Sequence, residues 1–313
     1  MNTYPPEILK IVNDSQFTIF IGKNGSGKST LMRGLNGFED LVTSYISPER
    51  GGALKYSPGV EDAINSRKNF LGELRQRNHT SGFREQSMSQ LRLLEINILR
   101  KIEENESLRL DLDYKFDTIL DQINNLLSQI KFTRSAKGFS IKSLEGEDIA
   151  EDDISSGETE IISLAIEVLA FAHLKEMSPV ESTEPQHVPN RRDFRKGMGV
   201  VETGIDLSQY HKLLGNKILL LDEPDVHLHP DLQQQFIQFV EKIALENNIH
   251  VVIASHSTAI ISAFSQESNP TILPILDRNQ KNFTKIRRSE ISEEGISLFG
   301  VHPLSIILNK FPT

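Results

Sequence analysis

Gln16-Phe17-Thr18-Ile19-Phe20-Ile21 runs directly into Gly22-Lys23-Asn24-Gly25-Ser26-Gly27-Lys28-Ser29-Thr30, and Leu31-Met32-Arg33-Gly34-Leu35 follows. The first stretch reads as a short buried strand and the last as the continuation of a helix. The residues between them fit the pattern G-x-x-x-x-G-K-S/T, a phosphate-binding loop, in the strand–turn–helix setting that such a loop needs. Glycines let backbone N–H groups turn inward around a phosphate, and the positive end of the new helix adds to the attraction. Lys28 is placed to reach the β- and γ-phosphates of a nucleotide, and the Ser29 hydroxyl to sit on its Mg²⁺.

The whole chain bounds what can be built around this loop. Its 313 residues suffice for one large α/β domain or two small ones. A formal net charge of −9 gives no global field toward nucleic acid, although local patches stay open. There is no cysteine, which excludes disulfides, thiolate catalysis and cysteine-ligated zinc. Met1-Asn2-Thr3-Tyr4-Pro5-Pro6-Glu7 has neither a basic region nor an apolar run, so no secretion signal is expected. The most apolar helix, around Ile161 to Leu174, is broken by Glu167 and too short to span a bilayer. A cytoplasmic protein without a membrane partner is the expectation.

Residues 7–21 suggest two strands leading into the loop, and Leu41 to Ile46 a further strand before the turn-rich Ser47-Pro48-Glu49-Arg50-Gly51-Gly52. From Val60 to about Ile130 the texture is helical and charged, with apolar residues at helical spacing over Leu91–Leu99 and Ile119–Leu127. Strand texture returns near Phe139-Ser140-Ile141. Ser155 or Ser156 caps a helix running to about His173, with Glu158 in its first turn. Lys217–Leu221 and His250–Ala254 are apolar strands of the parallel type, and the amphipathic Leu232–Leu245 between them completes a β-α-β unit. Ile272–Leu276 and Phe283–Ile286 suggest an edge hairpin. The expected organisation is a single domain over residues 1–313. It carries a helical insertion at 60–135, a polar loop insertion at 176–213 and a C-terminal extension at 289–313.

Ile218-Leu219-Leu220-Leu221-Asp222-Glu223-Pro224 ends an apolar strand in two carboxylates, a Walker B pattern. Asp222 at the strand tip would hold Mg²⁺, and Glu223 would polarise the attacking water as general base. Ser255-His256-Ser257 ends the next strand, where His256 can reach a γ-phosphate and sense its presence. Asp225-Val226-His227-Leu228-His229-Pro230 follows Walker B directly. His227, His229 and Asp225 invite a metal reading, but a loop contacting a partner subunit is the better one. By sequence alone, Ile154-Ser155-Ser156-Gly157-Glu158 also fits a simple capping box.

Taken together these motifs resemble those of the ATP-binding-cassette ATPases, in the soluble group related to SMC, DNA-repair and OLD-type proteins. The resemblance covers roughly residues 15–35 and 150–265. It implies an α/β ABC-ATPase fold, with a mixed or parallel P-loop sheet flanked by helices plus the helical insertion. Ser155, Ser156, Gly157 and Glu158 look like the family's signature motif, which closes over the γ-phosphate of a second subunit and so joins Gly22–Thr30 as nucleotide-binding residues. ATP and Mg²⁺ are the implied ligands, Ser29 and Asp222 the metal-binding residues, and Glu223, His256 and Lys28 the catalytic ones. Ser156 departs from the family's glycine, and Gln76, Gln86 and Gln90 all stay open for the glutamine that usually senses the nucleotide.

The same resemblance implies self-association, as a head-to-tail homodimer around two ATP or an assembly of such dimers. The chain stops before any acidic cluster suited to nuclease metals, so an effector protein in trans is expected, as in anti-phage systems of the PARIS, Septu or OLD type. A DNA-associated clamp and a slowly hydrolysing assembly scaffold are the alternatives. Basic residues occur at Asn190–Gly197, along Arg67-Lys68, Arg75, Arg77 and Arg84, and at Lys281, Lys285, Arg287 and Arg288. They lack the interleaved aromatics of a base-stacking surface, and solvated faces are their plainer reading.

Overall fold

The computed structural model describes residues 6–36, 42–66, 71, 82–111, 114–135, 138–150, 153–174, 217–265, 267–277 and 283–286. The first half of the described chain forms α1 (Pro6–Asp14), β1 (Phe17–Ile21), α2 (Lys28–Asn36), β2 (Val42–Ile46), α3 (Pro58–Ser66), α4 (Phe83–Glu104), α5 (Glu106–Leu110) and α6 (Phe116–Asn124). There follow β3 (Ile130–Ser135), β4 (Gly138–Ser143), α7 (Ser156–Leu174), β5 (Lys217–Asp222), α8 (Pro230–Glu246), β6 (Ile249–Ser255), α9 (Thr258–Ala263) and β7 (Thr271–Pro274).

β1, β2, β5, β6 and β7 make one parallel sheet in the order β2-β5-β6-β1-β7. Its strands are apolar on both faces, and alternation along each strand divides the core in two. Phe17, Ile19, Ile21, Leu219, Leu221, Val251 and Ile253 face the cluster built from α4, α6, α7, α8 and α9. Phe20, Ile218, Leu220, Val252 and Ala254 face the smaller cluster with α1 and α2. The sheet is therefore a filling between two helical layers, as expected for parallel strands.

α7 is buried from Thr159 to Ala172, because α4, α6 and α8 pack against it and its apolar residues share one core cluster with the sheet's. Of its two deep carboxylates, Glu160 and Glu167, the second accepts from Ser87 Oγ (2.8 Å) and Gln90 Nε2 (2.6 Å) of α4. Gln90 thereby helps to hold two helices together. The helices of the 83–124 stretch are the second layer over α7, and β3 and β4 pair as a separate antiparallel hairpin beside them.

Two expectations change. Residues 7–14 form helix α1 and not a strand: Ile8, Leu9, Ile11 and Val12 are buried at helical spacing, Pro6 opens the first turn and Glu7 favours its positive end. The edge hairpin is reduced, among the described residues, to one antiparallel bridge between Ile272 and Ile286, while β7 itself pairs in parallel with β1. Residues 176–213 and 289–313, the basic clusters at 67–68, 75–77 and 190–197, Lys281, Arg287, Arg288 and Gln76 lie outside the described residues.

Leu220 is fully buried in the central region of the sheet. Leu220→Ala is expected to lower the unfolding free energy by about 2–5 kcal/mol in a urea titration, through lost transfer energy and the cavity left behind.

Candidate active site

Register gathers the site. Ile21 pairs with Ser255, and Asp222 with Ala254, so the residues that follow β1, β5 and β6 emerge together at the carboxyl edge of the sheet. That edge is where ligands sit in parallel α/β sheets.

The glycine-rich loop leaves β1 and ends in α2, which begins at Lys28. Gly25 and Gly27 have φ of +82° and +104°, conformations that a side chain disfavours. Gly22 is required for a different reason: a Cβ there would lie 2.2 Å from the carbonyl oxygen of Ile275 and 2.8 Å from Ser26 Oγ. The edge strand thus closes directly on the start of the loop, and Ile275 N–H donates to Ile21 O at 2.7 Å. Lys28 is buried, and its ammonium donates to the carbonyls of Gly22 (2.9 Å) and Lys23 (3.3 Å), across the concave side of the loop.

Ser29 Oγ donates to Asp222 Oδ1 at 3.1 Å, and Tyr45 Oη donates to Asp222 Oδ2 at 2.6 Å. Asp222 is fully buried. Burial pushes its carboxyl above the ordinary aspartate range, and the bonds from Tyr45 and Ser29 with the charges of Lys28 and Arg33 offset this only in part. Burial and then the Asp222 charge push the Tyr45 hydroxyl up as well, so it remains a donor. Two oxygens, Ser29 Oγ and a carboxylate oxygen of Asp222, meet where α2 leaves the glycine-rich loop, a donor set that would fit Mg²⁺ carried by a nucleotide.

Glu223 is half-buried with φ of +47°, and its N–H donates to Ala254 O at 2.8 Å, extending the ladder one step beyond β5. His256 is half-buried at the end of β6. Its Nε2 lies 3.9 Å from Asp225 Oδ2, while Nδ1 has no hydrogen-bond partner. Asp225 is buried and accepts from Ser255 Oγ at 2.6 Å, so it faces inward while His227 and His229 are exposed. Among the described residues no group of three or more His, Cys, Asp or Glu side chains gathers as a metal cluster.

Ser155, Ser156, Gly157 and Glu158 open α7. Ser155 Oγ accepts from Glu158 N–H (3.2 Å) and donates to Glu158 Oε2 (2.7 Å), which also accepts from Ser155 N–H (3.3 Å), so a capping box is formed. A cleft of about 620 Å³ is lined by Ser156, Glu223, Val226, His227, Arg50, Arg84 and neighbouring loop residues. The structure therefore brings the first turn of α7 to the Walker B glutamate and the loop after it. The glycine-rich loop does not line this cleft.

Reading the sequence missed Tyr45, Arg50 and Glu160. Tyr45 is the residue before the last of β2, and Arg50 follows in the turn-rich loop. Their only sequence signal is a strand end that the topology sets beside β5.

Gly22→Ala is expected to cost about 1–3 kcal/mol in thermal unfolding by overpacking, and to weaken binding of a fluorescent nucleotide. Asp222 has its folded pKa raised, so its contribution to stability is present in acid and lost as pH rises through that pKa. Asp222→Asn is accordingly expected to raise the Tm of the nucleotide-free protein near neutral pH, with a gain that shrinks on acidification; a gain that grew in acid would contradict this.

No helix among the described residues is long and apolar enough to cross a membrane. Residues 36–262 match a family described as "AAA domain, putative AbiEii toxin, Type IV TA system". The glycine-rich loop precedes the matched stretch. An uncharacterized protein of Methanocaldococcus jannaschii, MJECL43, is 32% identical over 77 residues, 25% of this chain and 18% of that protein, so the chain spans under a fifth of its relative's length. Among solved structures, the SMC head domain from Thermotoga maritima is 11% identical over 62% of this chain and 51% of its own, with a TM-score of 0.31. An SmcHead bound to the C-winged helix domain of ScpA is 12% identical over 77% and 57%, with a TM-score of 0.36. The family match covers well over half of the chain, which is therefore a member of this AAA-domain family of ATPases.

Proposed function

We propose that this protein is an ATP-hydrolysing switch that closes head-to-tail on a second copy around two ATP molecules and controls a separate effector, as a sensor in bacterial defence against phage. The observation that carries the catalytic part is the bond from Ser29 Oγ to Asp222 Oδ1. It joins the phosphate-binding loop to the carboxylate strand, with Glu223 next in the chain.

Backbone N–H groups of Gly22–Thr30 and the Lys28 ammonium bind the β- and γ-phosphates. Ser29 and Asp222 would hold Mg²⁺, which supplies charge neutralisation on the phosphoryl oxygens. Glu223 takes a proton from the attacking water as its oxygen bonds to the γ-phosphorus. The bond from that phosphorus to the β–γ bridging oxygen breaks, and ADP and phosphate leave. His256 follows β6 at the same sheet edge, and its half-exposed ring, beside Asp225, would contact the γ-phosphate and sense its presence.

Closure on a second copy is supported by where the signature residues lie. Ser155 and Ser156 are exposed at the start of α7, and Ser156 lines a cleft that the chain's own glycine-rich loop does not share. An incoming protomer's nucleotide meets there N–H groups and the positive end of a long helix. The family's description as part of a toxin–antitoxin system supports the effector and defence part of the reading.

Phosphate release and light scattering test it. Glu223→Gln is expected to lower kcat by about 10²–10⁴-fold, the usual contribution of a general base, while binding ATP and doubling in mass with Mg-ATP but not Mg-ADP. A wild-type protein that releases no phosphate from ATP overturns the hydrolysis reading, and an unchanged mass overturns the dimer. Capture of the same variant from host cells separates a protein effector that survives nuclease treatment from bound DNA.

A further inference from the structure

Arg50 lies in the loop after β2, and its side chain is 1% exposed. Every nitrogen of its guanidinium is engaged. Nε donates to Glu160 Oε1, Nη1 to the carbonyl of Ser47 (2.8 Å), and Nη2 to the carbonyls of Glu223 (3.2 Å) and Val226 (3.4 Å). One buried cation thus touches three elements: its own loop, the second turn of α7, and the turn that carries the Walker B glutamate. Glu160 is as deeply buried as Arg50, and its other oxygen lies 3.7 Å from Arg84 Nη2. Arg84, at the start of α4, also donates from Nη1 to Gly52 O (3.2 Å), tying the loop to the outer helical layer.

We infer that Arg50 is the positioning residue for Glu223, fixing the backbone of the water-activating carboxylate and tying it to the first turns of α7. This rests on the proposed role of Glu223 in hydrolysis. The φ of +47° at Glu223 is uphill for any residue with a Cβ, so it persists only where neighbours over-determine it. On one side the Glu223 N–H is tied to β6 through Ala254 O. On the other, its carbonyl accepts from Val226 N–H (3.2 Å) and from Arg50. Without Arg50 that carbonyl retains only a bond from within its own turn. A lysine keeps the charge opposite Glu160 but lacks the planar fork needed to reach Ser47, Glu160 and the Glu223 turn together. Because Glu160 sits one turn beyond the signature residues, a shift of that turn on engaging a partner's nucleotide is transmitted through one rigid side chain to Glu223.

Two variants keep the test independent of folding. Arg50→Lys retains the buried charge balance, and Arg50→Met with Glu160→Met removes both ions, so that neither is left buried alone. Backbone hydrogen exchange of the nucleotide-free protein is the first readout. Exchange of the Val226 and Leu228 amides is expected to rise about tenfold or more through local opening, with α7 and α8 unchanged. Steady-state hydrolysis is the second: kcat is expected to fall by about tenfold or more with the KM for ATP held within about threefold, the pattern of a misplaced catalytic group. Unchanged exchange in the turn overturns the inference. So do exchange rising throughout α7 and kcat and KM worsening together, the pattern of a merely structural ion pair. A wild-type protein without hydrolysis but with faster turn exchange in both variants removes the ATPase reading while supporting the hold of Arg50 on the turn.

Discussion

The parallel pairing of β1, β6 and β5 is the constraint on which the rest depends. With Ile21 opposite Ser255 and Asp222 opposite Ala254, the chain turns polar at the same height on three adjacent strands. The strand ends and the segments that follow them carry the lysine, both carboxylates and the histidine. Ser29 and Asp222 are 193 residues apart in sequence and meet only because of this register. A slip of one residue would exchange the faces of Ile218, Leu219, Leu220 and Leu221 between two differently shaped cores and draw Asp222 into or out of the sheet edge. The two helical layers therefore do more than stabilise: by packing opposite faces of every strand they fix where the site is.

That edge holds more buried charge than a core would choose. Asp222 is fully buried, Arg50 and Glu160 are nearly so, and Asp225 is close behind. Each carboxylate finds donors: hydroxyls of Tyr45 and Ser29 on Asp222, that of Ser255 on Asp225, guanidinium on Glu160. These bonds reduce the desolvation cost without cancelling it, since the Asp222 carboxyl still sits above its ordinary range. The raised Tyr45 hydroxyl cannot ionise at working pH and stays a donor, which leaves Asp222 as acceptor. A divalent cation arriving with a nucleotide would meet a buried carboxylate, and its charge would offset part of the cost of that burial.

The sequence was most legible where chemistry and periodicity coincide. The glycine-rich loop, the apolar strand ending in Asp222-Glu223, and the helix opened by Ser155 with Glu158 all combine a local pattern with a required residue type, and each takes the expected local form. Residues 8–12 misled because Ile8-Leu9 and Ile11-Val12 are short apolar pairs, which fit a strand or a helix until one knows which surface they cover. Ile272–Leu276 misled differently: its partner is β1, far earlier in the chain, and no local turn records that. Tyr45, Arg50 and Glu160 were beyond reach for the same reason. Their value lies in contacts 177, 173 and 110 residues away in sequence, and a lone tyrosine, arginine or glutamate carries no spacing that announces them.

Three glycines separate what this chain needs for itself from what it leaves open. Gly22 is fixed by a backbone oxygen 2.2 Å from where a Cβ would be, and Gly25 by its positive φ in open space. Neither reason applies at Gly157. A Cβ there would make ordinary contacts with Leu232 Cδ1 (3.5 Å) and His227 O (3.7 Å), and its φ is not among the positive ones. The fold of one chain therefore does not demand a glycine at the start of α7, where the adjoining serines are exposed. At the same cleft, Glu223 and His227 keep side chains at φ of +47° and +68°, where glycine would relieve the strain. Side chains are retained where the backbone would shed them, and one is omitted where it would fit. That inversion is what the proposed head-to-tail closure over a nucleotide would require of this surface.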